Sequence, residues 1–529
     1  MINKINKLNT SIFIAAAVLF SSCEKDLLNT LPNDRLSSEL FWKSEADARL
    51  AANAVYPFLD GTTIFVRDGI TDIGHKNILF DPEAFIENGT YDALNSRIFN
   101  EWSDAYAGIS AANYFIANVD KVQGSSATVI NQLKGEVKSL RAYQYIKLVG
   151  LYGDVPLVTT PLTIDEGKKV SRSTADQVWD FIDAELTEAA GYLPVTYAAA
   201  DKGRITKGAA LALKARANLF RGRYQQAADA AKQVMDLNVY TIYPQYSRLF
   251  SYAAENNTEI ILDKQFVKDT YANNVFQFLA PYSQKTGSTA YVPTKILVDA
   301  YPMTNGLAIT DPGSGFNPNT PYVNRDPRLK ASIYLPGDVL PDGKTYNSVP
   351  TSGTPDAVGN TYLASGTGFG LKKYINNEDY ANPSNSGVNI ILVRYPEVLL
   401  TYAEAKTELN QIDQTVLSAV NLIRQRGDVN LPPLTGAYTQ AALRDIIRKE
   451  RTIELAFEGL RLFDIRRWKI AENVMTGPVY GMTYLEGGQL KTIQVQAYQR
   501  VFDKNRHYLW PVPQKERELN TNLTQNQGW

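Results

Sequence analysis

The chain of 529 residues carries 54 lysines and arginines against 55 aspartates and glutamates, a formal charge of −1. So even a balance gives no electrostatic footing for nucleic acid. One cysteine and two histidines exclude an internal disulfide and leave too few ligands or nucleophiles for thiol chemistry or a histidine-rich metal centre.

At the N-terminus, Lys4 and Lys7 precede an unbroken apolar run over 12–20, closed by Ser21, Ser22 and Cys23. The run is too short to span a bilayer as a helix, and its layout predicts a secretory signal over 1–22. Cleavage there makes Cys23 the new N-terminus, placed for lipidation, and two or three acyl chains would anchor the protein to a membrane. Residues 23–38 are then a lipidated tether. No later stretch approaches the ~20 apolar residues of a spanning helix, and the body after residue 22 has a formal charge of −3.

Ser44, with Asp47 three residues on, predicts a capped helix start, and Ala46, Leu50, Ala51, Ala54 and Val55 continue at helical spacing. A loop-rich stretch over 61–95 follows. Helical runs are expected at about 100–119, 129–151, 174–192 and 206–221. Gly222-Arg223-Tyr224-Gln225-Gln226-Ala227 then reads as the turn of a tetratricopeptide-like unit, with Ala228, Ala231, Val234 and Leu237 extending one face. Between 239 and 388 glycine, proline, asparagine, serine and threonine become dense, and only fragments such as 259–262 and 331–335 look like strands. Helical pairs return at about 395–409 with 415–426 and 439–457 with 460–474. The predicted fold class is therefore mainly α. A tetratricopeptide-like helical-repeat scaffold of about four helix pairs, over 39–238 and 389–529, carries a loop-rich insertion over 239–388 that contains short strands. Residues 39–529 are expected to form a single domain.

Several blocks recur in the order of a known family. They include Phe41-Trp42-Lys43-Ser44-Glu45-Ala46-Asp47, Leu140-Arg141-Ala142-Tyr143, Leu151-Tyr152-Gly153-Asp154-Val155-Pro156, Arg325-Asp326-Pro327-Arg328, Arg394-Tyr395-Pro396-Glu397, Phe457-Glu458-Gly459-Leu460-Arg461 and Tyr508-Leu509-Trp510-Pro511. Together they resemble SusD/RagB-type nutrient-binding lipoproteins of Bacteroidetes. The resemblance implies a location on the outer face of the outer membrane, beside a TonB-dependent (SusC-like) transporter that imports oligosaccharides or, in one branch, peptides. Glu24-Lys25-Asp26 resembles the acidic surface-export signal of such proteins.

Sugar recognition needs an aromatic platform flanked by planar polar groups, and loops on a rigid frame are the place to look. From the 61–95 loop the candidates are Arg67, Asp68, His75, Phe85, Asn88 and Tyr91, with Phe80 and Phe85 either offering ring faces or pinning the loop to the body. From the insertion they are Tyr271, Asn273, Tyr282, Tyr291 and Tyr322. Trp42, Trp102, Trp179, Trp468 and Trp510 are expected in the core. The charged run over 444–467 reads as scaffold electrostatics, with Asp445–Lys449 and Glu458–Arg461 spaced for pairing along a helix. No nucleophile elbow occurs, and the glycine clusters at 337–343 and 366–370 lack the strand-to-helix setting of a phosphate loop. The sequence thus predicts a non-catalytic glycan binder with no cofactor, leaving a structural calcium open. A peptide-binding importer is the main alternative, and a glycoside hydrolase using two carboxylates the lesser one.

Overall fold

The computed structural model describes residues 41–285 and 287–529. The signal over 1–22, Cys23 and the tether lie outside the described residues.

The scaffold is a row of helices whose starts follow from their caps. Helix α1 (Glu45–Asn53) opens on the Ser44–Asp47 capping box that the spacing predicts. Helices α2 (Ser96–Asn118), α3 (Ala127–Tyr152) and α4 (Ala175–Tyr192) open on Asn95, Ser126 and Thr174, whose side chains accept the orphan N–H groups of the first turn. Helix α5 (Lys207–Arg221) ends on Gly222 in the left-handed conformation, φ 79°, and α6 (Tyr224–Asp236) begins two residues later. Their interface is lined by alanines, Ala209, Ala212 and Ala215 from one side and Ala227, Ala230 and Ala231 from the other, all buried. Side chains this small let two helix axes approach closely, which is the tetratricopeptide-like unit expected over 206–237.

Each helix from α2 to α6 packs on its sequence neighbour, and the row continues with α7 (Tyr395–Glu408), α8 (Gln414–Arg424) and α9 (Gln440–Glu454). Helix α7 packs directly on α6, so the scaffold closes across the insertion as if that segment were absent. The two ends of the insertion meet in a ladder. There β2 (Ile260–Lys264) pairs antiparallel with β6 (Ile390–Arg394). The remaining ladders are small: β1 (Gly74–Lys76) with β3 (Tyr291–Pro293), β4 (Ile333–Tyr334) with β5 (Gly370–Leu371), and the long hairpin β7 (Gly477–Glu486) with β8 (Gln489–Arg500).

The structure departs from the sequence reading in three places. Residues 331–335 are only partly strand, because Asp326 caps a helical turn at Pro327–Ser332 first. The stretch 460–474 is two short helices broken at Lys469, φ 55°. The β7–β8 hairpin was not anticipated. Its signal is Gly487-Gly488 at φ 58° and 80° between two alternating runs, a two-residue turn that glycines permit.

The charged run over 444–467 is scaffold, and it pairs mainly between elements, with Asp464–Arg467 the one pair along its own helix among the described residues. Arg394, Arg426, Arg328, Arg424 and Lys373 meet Glu259, Glu450, Glu454, Glu458 and Asp326 in one buried cluster. Glu454 sits at its centre, with Arg394 Nη1 and Arg426 Nη2 at 2.5 and 2.7 Å on one oxygen and Arg328 Nη1 at 2.8 Å on the other. Glu458 takes Arg394 and Lys373 at 2.6 and 2.7 Å, while Arg461 reaches Asp72 at 2.6 Å instead. Burial alone would push the Glu454 carboxyl up; the three guanidinium groups outweigh it and hold the group well below the ordinary carboxylate range.

Truncating Arg394 to alanine leaves these carboxylates buried without their central partner, a loss of roughly 3–5 kcal/mol. Urea unfolding is expected to show the drop, with Arg394→Lys only partly restoring stability because an ammonium lacks the guanidinium fork. The contribution of Glu454 is present above its unfolded value near 4.5 and is lost as pH falls toward its depressed folded value, so the variant and the parent should converge in acid.

Candidate functional site

The loop-rich N-terminal stretch is built around one buried carboxylate. Glu87 lies on the inner side of a short helix, Pro82–Asn88, that starts on Pro82 and stops at Gly89, φ 81°. Glu87 accepts from His75 Nδ1 at 2.9 Å, the Lys76 N–H at 2.8 Å, Arg500 Nε at 3.0 Å and the Tyr498 hydroxyl at 3.1 Å. Burial opposes its charge, but His75 and Arg500 outweigh it and hold the carboxyl below the ordinary carboxylate range. Gly89 is required, since a Cβ there would lie 1.9 Å from the Val501 carbonyl oxygen. With Glu87 turned inward, Phe85 faces solvent and is 41% exposed.

The candidates divide by this architecture. Arg67 is buried between Asp60 at 2.7 Å and Glu101 at 2.9 Å, and it serves the scaffold. Asp68 is fully buried and accepts the N–H groups of Gly459 and Arg461, and burial pushes its carboxyl up to about 7. His75 is consumed by Glu87. Tyr91 is buried against the His507 ring, centroids 5.2 Å apart, and burial pushes that imidazole down to about 4. Asn273 is buried and bonds the Val388 carbonyl, and Tyr291 is buried against Gly69, whose Cβ would meet its ring at 2.1 Å. The expectation that these six present themselves to a ligand is corrected in the same way for each: their polar groups or ring faces are already satisfied inside the fold. Asn88 is half-buried and closes the helix end by accepting from Thr90. Tyr282 and Tyr322 are half-buried. Tyr271 is exposed and stands with Phe266 beside a separate pocket. Trp42, Trp102, Trp468 and Trp510 are buried as expected, and Trp179 is partly so.

The most exposed aromatic pair is one the candidate set did not assemble. Phe80 and Tyr362 are 71% and 67% exposed, and their rings lie 6.3 Å apart, inclined by 50°. Phe80 therefore does not pin its loop to the body. The pinning is done by Asn77, which is buried and donates to the carbonyls of Ala364 at 3.0 Å and Tyr362 at 3.4 Å while accepting the Gly366 N–H at 2.8 Å. One side-chain amide thus fixes an insertion loop to the N-terminal loop and sets the two rings side by side. The glycines at 366–370 serve the same junction. Gly368, φ 78°, has no room for a Cβ beside Met482, and Gly481 none beside the Thr367 carbonyl, so the loop crosses β7 in backbone contact. Tyr362 could have been found in sequence only as a lone aromatic in a glycine- and serine-rich loop.

Residues 258–529, half of the chain, match the family described as the SusD family. The chain belongs to the SusD family. Residues 65–219 also match a SusD-like family described as starch-binding and associating with the outer membrane. A SusD-like protein of Formosa agariphila, P2, is 28% identical over 97% of this chain and 98% of its own length. Among solved structures, a SusD-like carbohydrate-binding protein of Bacteroides fragilis superposes with a TM-score of 0.85 at 28% identity, covering 92% of this chain and all of that one. A second SusD-like protein of the same species reaches 0.82 at 29% identity over 94% and 99% of the two chains. The SusD fold, a tetratricopeptide-like helical body carrying irregular segments, is the one described above.

In this SusD-family chain, Asn77→Ala removes three hydrogen bonds across the junction, a cost of about 1–3 kcal/mol confined to the loops. Amide exchange at residues 362–366 is expected to accelerate by about tenfold or more while the α3–α5 helices keep their protection. Unchanged exchange in that loop would show that Asn77 does not hold it.

Proposed function

We propose that this protein is a non-catalytic glycan receptor that captures neutral oligosaccharide on the Phe80–Tyr362 platform and passes it to a TonB-dependent outer-membrane transporter. The observation that carries the reading is the platform itself. Two large ring faces are exposed from segments about 280 residues apart, at a junction held by buried hydrogen bonds. Contiguous exposed apolar surface marks binding sites more often than scattered side chains do, and a ring face is the natural partner of the C–H face of a sugar. Phe85, at the outer side of the neighbouring helix, extends the candidate surface. The B. fragilis relative described as carbohydrate-binding supports the same ligand class, and the near-zero net charge suits a neutral ligand.

The non-catalytic part of the reading is supported by where the carboxylates go. Glu450, Glu454 and Glu458 are ion-paired in the core. Anchoring is assigned to lipidated Cys23, with residues 39–529 acting as one domain at the cell surface. The description of the matching family as associating with the outer membrane supports that placement.

Calorimetric titration with malto-, laminari-, cello-, xylo- and manno-oligosaccharides, with mixed peptides as control, tests the reading. One glycan class should bind saturably, and Phe80→Ala or Tyr362→Ala should each weaken it by roughly tenfold, the value of about one aromatic contact. Peptide binding without sugar binding would move the protein to the peptide-importing branch, and release of reducing sugar from polysaccharide would overturn the non-catalytic assignment. Cys23→Ala should shift the protein from the membrane fraction to the soluble one, as loss of the acyl chains requires.

A further inference from the structure

A pocket of about 360 Å³ opens between the N-terminal helices and the first strand of the insertion, and it shares no residue with the Phe80–Tyr362 platform. Tyr271 forms one wall. Its ring lies 5.3 Å from that of Phe266 at an angle of 11°, so one face is covered by Phe266, and the residue is still 45% exposed. The ring is held by a closed turn, because Val267 and Tyr271 exchange both N–H···O bonds at 2.9 Å. Opposite it, the Gln265 amide lies flat against Gly203, where a Cβ would come within 2.2 Å of the amide nitrogen; Gly203, φ 91°, thus makes room for that amide.

Two of the three cations that line the pocket are engaged within the protein, and the third, Lys202, is exposed. Arg204 donates to Glu136 and Asn53, and Lys264 Nζ donates to the carbonyls of Pro57 and Leu59 at 2.7 and 2.8 Å. Asp263 is buried in the lining, and one of its oxygens accepts from Asn389 at 3.1 Å. Burial raises this carboxyl to about 6. A fixed aromatic face and a planar amide around a space of this size are groups that grip one hydroxylated ring, and exposed Lys202 in the same lining offers a further donor to its hydroxyls.

We propose that this pocket is a second carbohydrate site, which takes one pyranose or furanose unit with its C–H face on Tyr271 and its hydroxyls toward Gln265 and Lys202. The inference rests on the reading of the protein as a glycan binder, and it adds a second point of attachment for the same ligand class. Two sites on one rigid body would hold a long or branched chain more tightly than either alone.

Saturation-transfer NMR and calorimetry on the mature chain, with Cys23→Ser to keep it in solution, test this with maltotriose, laminaritriose, cellotriose and xylotriose. The double variant Phe80→Ala/Tyr362→Ala should retain a weaker binding event. Adding Tyr271→Ala to it should weaken that event by about fivefold or more. Gln265→Ala, an exposed side chain whose loss does not threaten folding, should act in the same direction. If the double variant abolishes all binding, or if neither Tyr271→Ala nor Gln265→Ala changes what remains, the second site is overturned while the platform reading stands. If the parent chain binds neither these four sugars nor a manno-oligosaccharide, both readings fall together.

Discussion

Glu454 is the residue on which the two halves of this molecule converge. It belongs to α9, at the end of the helical row, yet its partners come from three other places: Arg394 at the end of β6, Arg426 just after α8 and Arg328 inside the insertion. A buried carboxylate in such a position is costly until all its partners arrive. The arrangement therefore ties correct docking of the insertion to completion of the scaffold, and a partly assembled chain would carry unpaired charge in a dry interior. Such a cluster is better understood as specifying one arrangement than as adding net stability, because apolar packing of the same volume would also hold the elements together. The electrostatics that invite a catalytic interpretation of residues 444–467 are the means by which the insertion is held in place.

From that fixed frame the platform follows. Helix α7 packs on α6, and the β2–β6 ladder joins the ends of the insertion beside them. The insertion can then return to the N-terminal loop, where the β1–β3 ladder and Asn77 meet it. Beneath this junction Glu87 draws His75, Tyr498 and Arg500 into one polar core, so the helix that bears Phe85 is braced from the C-terminal hairpin as well. Three distant parts of the chain thus converge on one exposed aromatic face, and each is held by buried hydrogen bonds and not by apolar burial alone.

The helical row was legible because its signals are local. The Ser44–Asp47 cap, the alanine faces of 206–237 and the 3.6-residue spacing of the late helices all act within a few residues, and the helices lie where these signals put them, to within a few residues at their ends. The site was less legible because its chemistry is made between segments. Arg67, Asp68 and His75 have the side chains a ligand would want, but whether such a group faces solvent depends on Asp60, Glu101, Gly459 and Glu87, which lie up to several hundred residues away. Phe80 and Tyr362 have no sequence relation at all; only the hydrogen bonds of Asn77 make them a pair. The hairpin at 477–500 differs again, since its local signal is confined to the turn glycines Gly487-Gly488 and the alternation of the runs on either side.

The closed ladder at the base of the insertion also bears on how this architecture can change over time. Because both ends of some 120 intervening residues are fixed side by side by β2 and β6, loops between them can lengthen, shorten or exchange their side chains at little entropic expense to the helices beneath. Tyr362 and Tyr271 both sit in such stretches, whereas the Glu454 cluster does not tolerate the loss of a partner. The molecule is therefore a fixed mount with an interchangeable head. New ligand preferences can be explored by altering a few loop positions while the body that carries them keeps its shape.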